Sequence, residues 1–354
     1  MADSQFSLLG QRRFAPFFVT QFLGACNDNI FRNGLVILMT FQGVQIAGMD
    51  ASTLANLAGA LFILPFFLFS ATAGQLADKF EKSLLIRRIK LLEIGLMLLA
   101  ALALITESYG VLLIVLFLMG TQSTLFGPVK YAYLPQQLER SELIGGNALV
   151  ESGTYLAIIL GLVAGGLAVA AGGGDETLLA SNLVGVAALG YVASRSIPLC
   201  RPADADLTVR WNPWRETRRI AGFAHRERSV FLSILGISWF WFYGSAITLQ
   251  VPAYTLDVLN GSEEITTTLL VAFAVGVGIG SLLCERMSAH RVELGLVPFG
   301  SIGLTLFAID LYFTQPVSQV TNVASVGAFL SRPGSIHVLV DLALLGVFGG
   351  FYSV

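Results

Sequence analysis

The sequence predicts an all-α, polytopic membrane protein. Three observations carry that reading: a large apolar excess, ten apolar stretches of spanning length, and loop charges that sort by side. Of the 354 residues, 55% are hydrophobic and 12% charged. A soluble domain carries about 25% charged residues, so most of this surface must face something other than water. The 37 glycines and 11 prolines suit membrane helices, where close packing and local kinks use both. A formal net charge of −2 carries no basic excess, and nucleic acid is not an expected partner.

A spanning helix needs about 20 mainly apolar residues. That rule places spans at 14–39, 53–77, 84–105, 109–133, 143–171, 178–194, 229–256, 267–284 and 294–313, with a tenth starting near 336. Arg12 and Arg13 precede a first stretch too long for a signal-peptide core, with no small-residue cleavage pattern behind it. That helix is therefore expected to drive insertion itself. Cys26, Cys200 and Cys284 are scattered, form no disulfide framework and no metal-ligand spacing, and read as small apolar filler.

The loops fix orientation. One side carries Lys79, Lys82, Arg87, Arg88, Lys90, Arg140, the arginines of 201–228, Arg286 and Arg291. The other carries Asp50, Glu107, Asp175, Glu176, Glu263 and Glu264, with Arg332 as its only basic residue. The positive-inside rule puts the amino terminus and the long middle loop in the cytoplasm.

That middle loop, 198–228, is rich in arginine and holds Trp211 and Trp214. It reads as a solvated tether whose arginines sit on anionic headgroups. Six spans, a basic linker, then further spans is the plan of major facilitator transporters. On that plan 1–197 is an N-terminal six-helix half, 198–228 the cytoplasmic linker and 229–354 a C-terminal half. The plan needs about twelve helices, so the chain is expected to be incomplete, stopping within the tenth span. Residues 314–335 read as an outer loop.

After the second span comes GQLADKFEKS, with Gly74, Asp78, Lys79 and Lys82. It resembles the signature between helices 2 and 3 of that superfamily. Glycine lets helices close up, while Asp and Lys make a charge latch that forms in one conformation and breaks in another. Glu81 stands where the family usually has Gly, and Ser83 where a second basic residue is common. The matching stretch of the second half, GSLLCERMSAHR at 280–291, keeps the glycine spacing but has Cys284 and Glu285 in place of the Asp–basic pair.

Charges inside spans cost at least ~2.5–3.5 kcal/mol each near the centre and usually face a cavity or a partner. In ACNDNIFRNG of the first span, Asp28 and Arg32 are four apart, on one helical face, among Asn27, Asn29 and Asn33. They make either a self-neutralising structural pair or a cavity-facing polar cluster. Lys130 follows Gly127 and Pro128 in the fourth span and either snorkels to the surface or bounds a cavity. Asn147 and Glu151 share a face of the fifth span, at a depth where Glu151 can pair with Lys130. Glu93, Asp310 and Asp341 are further ionisable candidates, whereas His225, His290 and His337 have no partner pattern. No phosphate-binding glycine loop, metal-ligand pair or nucleophile elbow occurs, so no cofactor and no enzymatic activity are expected. Gly161, Gly165 and Gly166 form a small-residue packing surface. The lack of a proline among them counts against a drug antiporter.

Four segments together resemble the bacterial lysophospholipid transporter family of the major facilitator superfamily: QFLGACNDN, GPVKYAYLPQ, GGNALVESGTYLAIILGLVAGG and GVFGGFYSV. SWFWFYGSAITLQ in the seventh span looks most like the transporter module that some bacteria fuse to an acyltransferase and an acyl-carrier-protein synthetase. The resemblance implies movement of lysophospholipids, chiefly lysophosphatidylethanolamine, from the outer to the inner leaflet of the bacterial inner membrane, where they are re-acylated. It carries embedded polar roles onto Asp28, Lys130 and Glu151. Where stand-alone members have an arginine in the seventh span, this chain has Gln250, and Arg32 is the candidate to compensate. The headgroup's ammonium suits Asp28 and Glu151, and its phosphate suits Lys130 and Arg32. The expected partners are thus the lysophospholipid, the surrounding lipids and a fused or associated acyltransferase. The alternative is a proton-coupled exporter of drugs or other small molecules, in which Asp28 or Glu151 would titrate.

Overall fold

A computed structural model describes residues 5–140, 142–287, 295–314 and 325–353. A 3-10 turn at Gln5–Gly10 leads into α1 (Ala15–Phe41), α2 (Ala51–Lys79), α3 (Lys82–Ile105), α4 (Tyr109–Gln137), α5 (Leu143–Gly172) and α6 (Thr177–Ser194). Then follow α7 (Pro213–Arg226), α8 (Arg228–Asp257), α9 (Glu263–Met287), α10 (Leu296–Phe313), the short α11 (Val326–Leu330) and α12 (Ser335–Ser353). All ten expected spans are helices. Among the described residues eight are both long and apolar enough to cross a membrane on composition alone: α2, α4, α5, α6, α8, α9, α10 and α12. α1 and α3 have the length, about 40 and 36 Å at 1.5 Å per residue, but carry Asp28 with its asparagines and Lys90 with Glu93.

The chain divides into two compact units. The first takes in Met1–Arg32, Leu57–Ala157 and Gly174–Phe231; the second takes in Asn33–Asn56, Ile158–Gly173 and Leu232–Val354. In the first, α3 packs on α4 and α6. Phe14, Phe17, Ile86, Ile89, Val129, Tyr133 and Leu134 form a buried core, with Phe17 stacked on Tyr133 at 4.5 Å. The Tyr133 hydroxyl is satisfied by donating to the Arg13 carbonyl at 2.8 Å. In the second unit α12 packs on α9 and α10, burying Leu269, Leu270, Phe273, Val338, Leu342 and Leu345. α5 ends where Gly173 and Gly174 take φ of 56° and 100°, a left-handed stop that glycine adopts without Cβ strain.

The linker is more ordered than a tether. α7 starts from an Asn212 cap, whose side chain accepts from the Arg215 amide at 3.1 Å, followed by Pro213 at the first helical position. Its Glu216 is buried, with Arg210 at 3.5 Å and Arg219 at 3.6 Å. Trp211, Trp214, Ile220 and Phe223 stay exposed, the composition of a helix lying in a headgroup layer.

Glu81 turns out to be a structural device rather than a weakened motif position. It caps α3, accepting from the Ser83 amide at 2.9 Å and the Leu84 amide at 2.7 Å. The same carboxylate accepts from the Cys200 amide at 2.7 Å, which ties the start of the linker to α3. Partial burial pushes this carboxyl up, but the amides of Cys200, Ser83 and Leu84 outweigh it and hold the group below its ordinary 4.5. A depressed folded-state value contributes stability above the ordinary carboxylate range, lost as pH falls through the folded value. Glu81→Ala is therefore expected to cost about 0.5–2 kcal/mol at neutral pH. The gap to the parent protein, read as thermal midpoints in detergent, should shrink as pH drops below ~4.5; a gap that widens in acid contradicts this role.

Candidate functional site

α1, α3 and α4 bring together a chain of polar groups inside the first unit. Lys90 and Glu93, one turn apart on α3, form an ion pair at 2.6 Å with both side chains 1% exposed. Glu93 also accepts from Asn27 Nδ2 of α1 and from Gln122 Nε2 of α4, each at 3.1 Å. Ser123 donates to Asp28 at 2.6 Å and lies 3.2 Å from Gln122 Oε1. The order Lys90, Glu93, Gln122, Ser123, Asp28 thus runs through three helices, with the single Ser123 hydroxyl proton available to either the Asp28 or the Gln122 oxygen. Asn27 Oδ1 is buried without a hydrogen-bond partner. Lys90 fits because glycines flank it: a Cβ on Gly24 would lie 2.7 Å from its Nζ, and one on Gly190 of α6 3.2 Å.

Lys90 is the main residue that sequence reasoning placed wrongly. It was assigned to the basic loop side, yet it sits in α3 and is buried. The signal that could have found it is its spacing of three before Glu93, which puts the two on one helical face.

Of the two settings that the spacing of Asp28 and Arg32 allows, the direct pair is not formed: among the described residues they make no ion pair with each other. Asp28 is taken by Ser123, and Arg32 turns back to donate to Asn29 Oδ1 at 3.0 Å and lies 5.5 Å from the Phe62 ring centre. Both side chains are half-buried. The remaining asparagines satisfy the backbone, Asn29 donating to Ala25 O at 2.8 Å and Asn33 to Leu162 O at 3.4 Å.

Lys130 lies at the α4–α5 boundary of the same unit, 9% exposed. Its Nζ donates to Thr154 Oγ1 at 3.3 Å, and Thr154 donates to Gln21 Oε1 at 3.1 Å. The bland alternative, snorkelling to the surface, does not fit that burial. Glu151 belongs to α5, but its side chain falls outside the described residues, so the expected pairing with Lys130 does too. Asn147 is exposed on α5. Gln250 is on α8 in the second unit, where it donates to Asn56 Oδ1 at 3.0 Å.

The residues of the expected latch have mixed settings. A Cβ on Gly74 would meet nothing within 4 Å, so no helix presses on it. The Asp78 side chain is exposed, and its carbonyl accepts from the amides of Ala203 and Asp204 at 2.9 and 3.0 Å. Lys79 is half-buried. Lys82 is fully buried, with Nζ 3.0 Å from the Gln136 side-chain amide, whose oxygen faces it once the amide is oriented to satisfy both groups. Its charge therefore points into the bundle and not onto Asp78. His337, read as lacking a partner, is also corrected: its Nε2 lies 3.0 Å from Asp310 Oδ2. His290 and the side chain of Cys284 fall outside the description.

The profile of the Major Facilitator Superfamily matches residues 17–354. The chain belongs to that superfamily. Across most of its length this facilitator is similar to proteins named lysophospholipid transporter LplT. It is 26% identical over 347 residues to the one from Klebsiella pneumoniae (strain 342), covering 93% of this chain and 80% of that one. It is 25% identical over 343 residues to the one from Escherichia coli O157:H7, covering 95% and 77%. Among solved structures, its fold matches a bacterial homologue of the human lysosomal transporter Spinster, captured inward-facing and unoccupied. The TM-score is 0.66 at 13% identity, over 99% of this chain and 75% of the other.

Proposed function

We propose that this facilitator moves lysophospholipids, chiefly lysophosphatidylethanolamine, from the outer to the inner leaflet of the bacterial inner membrane, for re-acylation there. What carries the reading is the presence of an embedded acid and an embedded base, Asp28 and Lys130, in one unit of a chain that resembles LplT proteins along its length. A zwitterionic headgroup presents an ammonium and a phosphate. Asp28 and Glu151 suit the first; Lys130 and Arg32 suit the second through charge-assisted hydrogen bonds. Asn147 and Gln250 are secondary candidates for headgroup contacts. Residues 1–197 and 229–354 form the two halves of this transporter, 198–228 links them in the cytoplasm, and Gly74, Asp78, Lys79 and Lys82 act as its conformational latch, Lys82 joining it only in a conformation other than this one. A fused or associated acyltransferase consumes the lipid delivered.

Asp28→Asn and Lys130→Ala are each expected to lower translocation of fluorescent lysophosphatidylethanolamine by at least tenfold in proteoliposomes. Their thermal midpoints should stay within a few degrees of the parent, since neither closes the Lys90–Glu93 pair. Undiminished translocation in both variants removes the headgroup site. A rate that collapses with the proton gradient while lysolipid stays unmoved favours the exporter alternative.

A further inference from the structure

The second unit holds a cluster that the transport reading leaves unused. Asp310 lies in the last turn of α10, and His337 and Asp341 lie four apart on one face of α12. His337 Nε2 is 3.0 Å from Asp310 Oδ2 and 3.7 Å from Asp341 Oδ2, and one ligand atom from each side chain lies within 4.8 Å of the others. Asp341 is 1% exposed, and the Oδ2 that faces His337 has no hydrogen-bond partner. A buried carboxylate oxygen left without a partner is costly inside a membrane helix bundle. It is aimed at the cluster, where something must offset it.

We propose that Asp310, His337 and Asp341 bind a divalent transition-metal ion of the zinc class, fastening the end of α10 to the start of α12. Charge selects the valence: two carboxylates and a neutral imidazole are balanced by a doubly charged ion and by no monovalent one. Ligand type selects the class, since imidazole suits zinc-like ions, while calcium and magnesium favour all-oxygen sets. Size agrees as well. Zinc bonds of about 2.0–2.2 Å in a tetrahedron place ligand atoms roughly 3.3–3.6 Å apart. The 3.0 and 3.7 Å separations bracket that range. Three protein ligands leave the fourth position to water.

The test uses tag-free, metal-stripped full chain in nanodiscs, titrated calorimetrically with zinc chloride and followed by thermal unfolding. One saturable site per chain and a raised midpoint are expected with zinc, and no rise with magnesium or calcium at the same concentration. Asp341→Asn and His337→Gln should each weaken zinc binding at least tenfold, whereas His225→Gln leaves it unchanged. His337 is half-exposed, so its variant folds without metal and carries the test even where Asp341→Asn does not. Absence of saturable binding, binding that survives the His337 substitution, or an equal rise with magnesium overturns the proposal.

Discussion

Lys90→Met is expected to destabilise the protein by about 3–5 kcal/mol, the cost of stranding one charge of a buried pair. Lys90 and Glu93 are each 1% exposed, and their 2.6 Å contact lies within a helix that packs on α4 and α6. Removing the ammonium leaves a carboxylate facing only the amides of Asn27 and Gln122, both 3.1 Å away. Two neutral donors do not replace a full positive charge, so the stranded carboxylate carries the cost of its burial. The double variant Lys90→Met, Glu93→Gln removes both charges and keeps one acceptor oxygen, while its new Nε2 can donate to a flipped Asn27 or Gln122 amide. It should recover most of the loss, because the expensive species is the lone charge and not the missing pair. A double-mutant cycle on unfolding in detergent measures this directly. Strictly additive losses would show that the two residues do not act as a pair. The cycle also separates structure from transport, since a double variant that folds yet fails to translocate lipid would place Glu93 in the transport path through Ser123 and Asp28.

How much of this was legible in the sequence depends on how local the signal is. Spans were readable because an apolar run of twenty residues has few other homes, and the helices agree with them to within four residues, the widest gaps being at the end of α4, Gln137 and not 133, and the start of α9, Glu263 and not 267. α7 was readable and missed: Asn212 followed by Pro213 is a helix-start signal, overlooked among so many arginines. Asp28 was found because a charge amid asparagines in an apolar helix stands out. Its partner was not, because Ser123 is 95 residues away and only the rotation of α4 against α1 decides which hydroxyl faces it. Spacing alone permits a contact with Arg32 but cannot weigh it against a neighbouring helix. Lys90 was lost for a related reason: at the edge of a basic loop, position alone does not separate a solvated lysine from one turned inward. The His337–Asp341 spacing was visible, but Asp310, which gives it meaning, comes from another helix.

Two glycines of α9, two residues apart, should respond to the same substitution with opposite sign. A Cβ on Gly276 would collide with the backbone carbonyl of Ala343 on α12, and one on Gly280 with that of Val347. From the α12 side, a Cβ on Gly346 would strike the carbonyl of Phe273. Lipid gives helices no hydrophobic push together, so contact comes from backbones approaching over small residues. A flexible side chain can step aside, but a helical carbonyl moves only with its helix. Gly276→Ala should therefore cost at least the ~1–3 kcal/mol of an overpacked site, and Gly276→Leu considerably more, since α9 and α12 must separate along their length. Gly278 is the control, because a Cβ there would meet nothing within 4 Å. Gly278→Ala gains helix propensity without a clash and should stabilise by about 0.5–1 kcal/mol. Thermal midpoints of the two alanine variants in the same detergent decide the matter. If both fall, or both hold, α9 and α12 do not meet at Gly276. Opposite shifts from one added methyl group, two residues apart on one helix, require that face and no other to be buried against backbone.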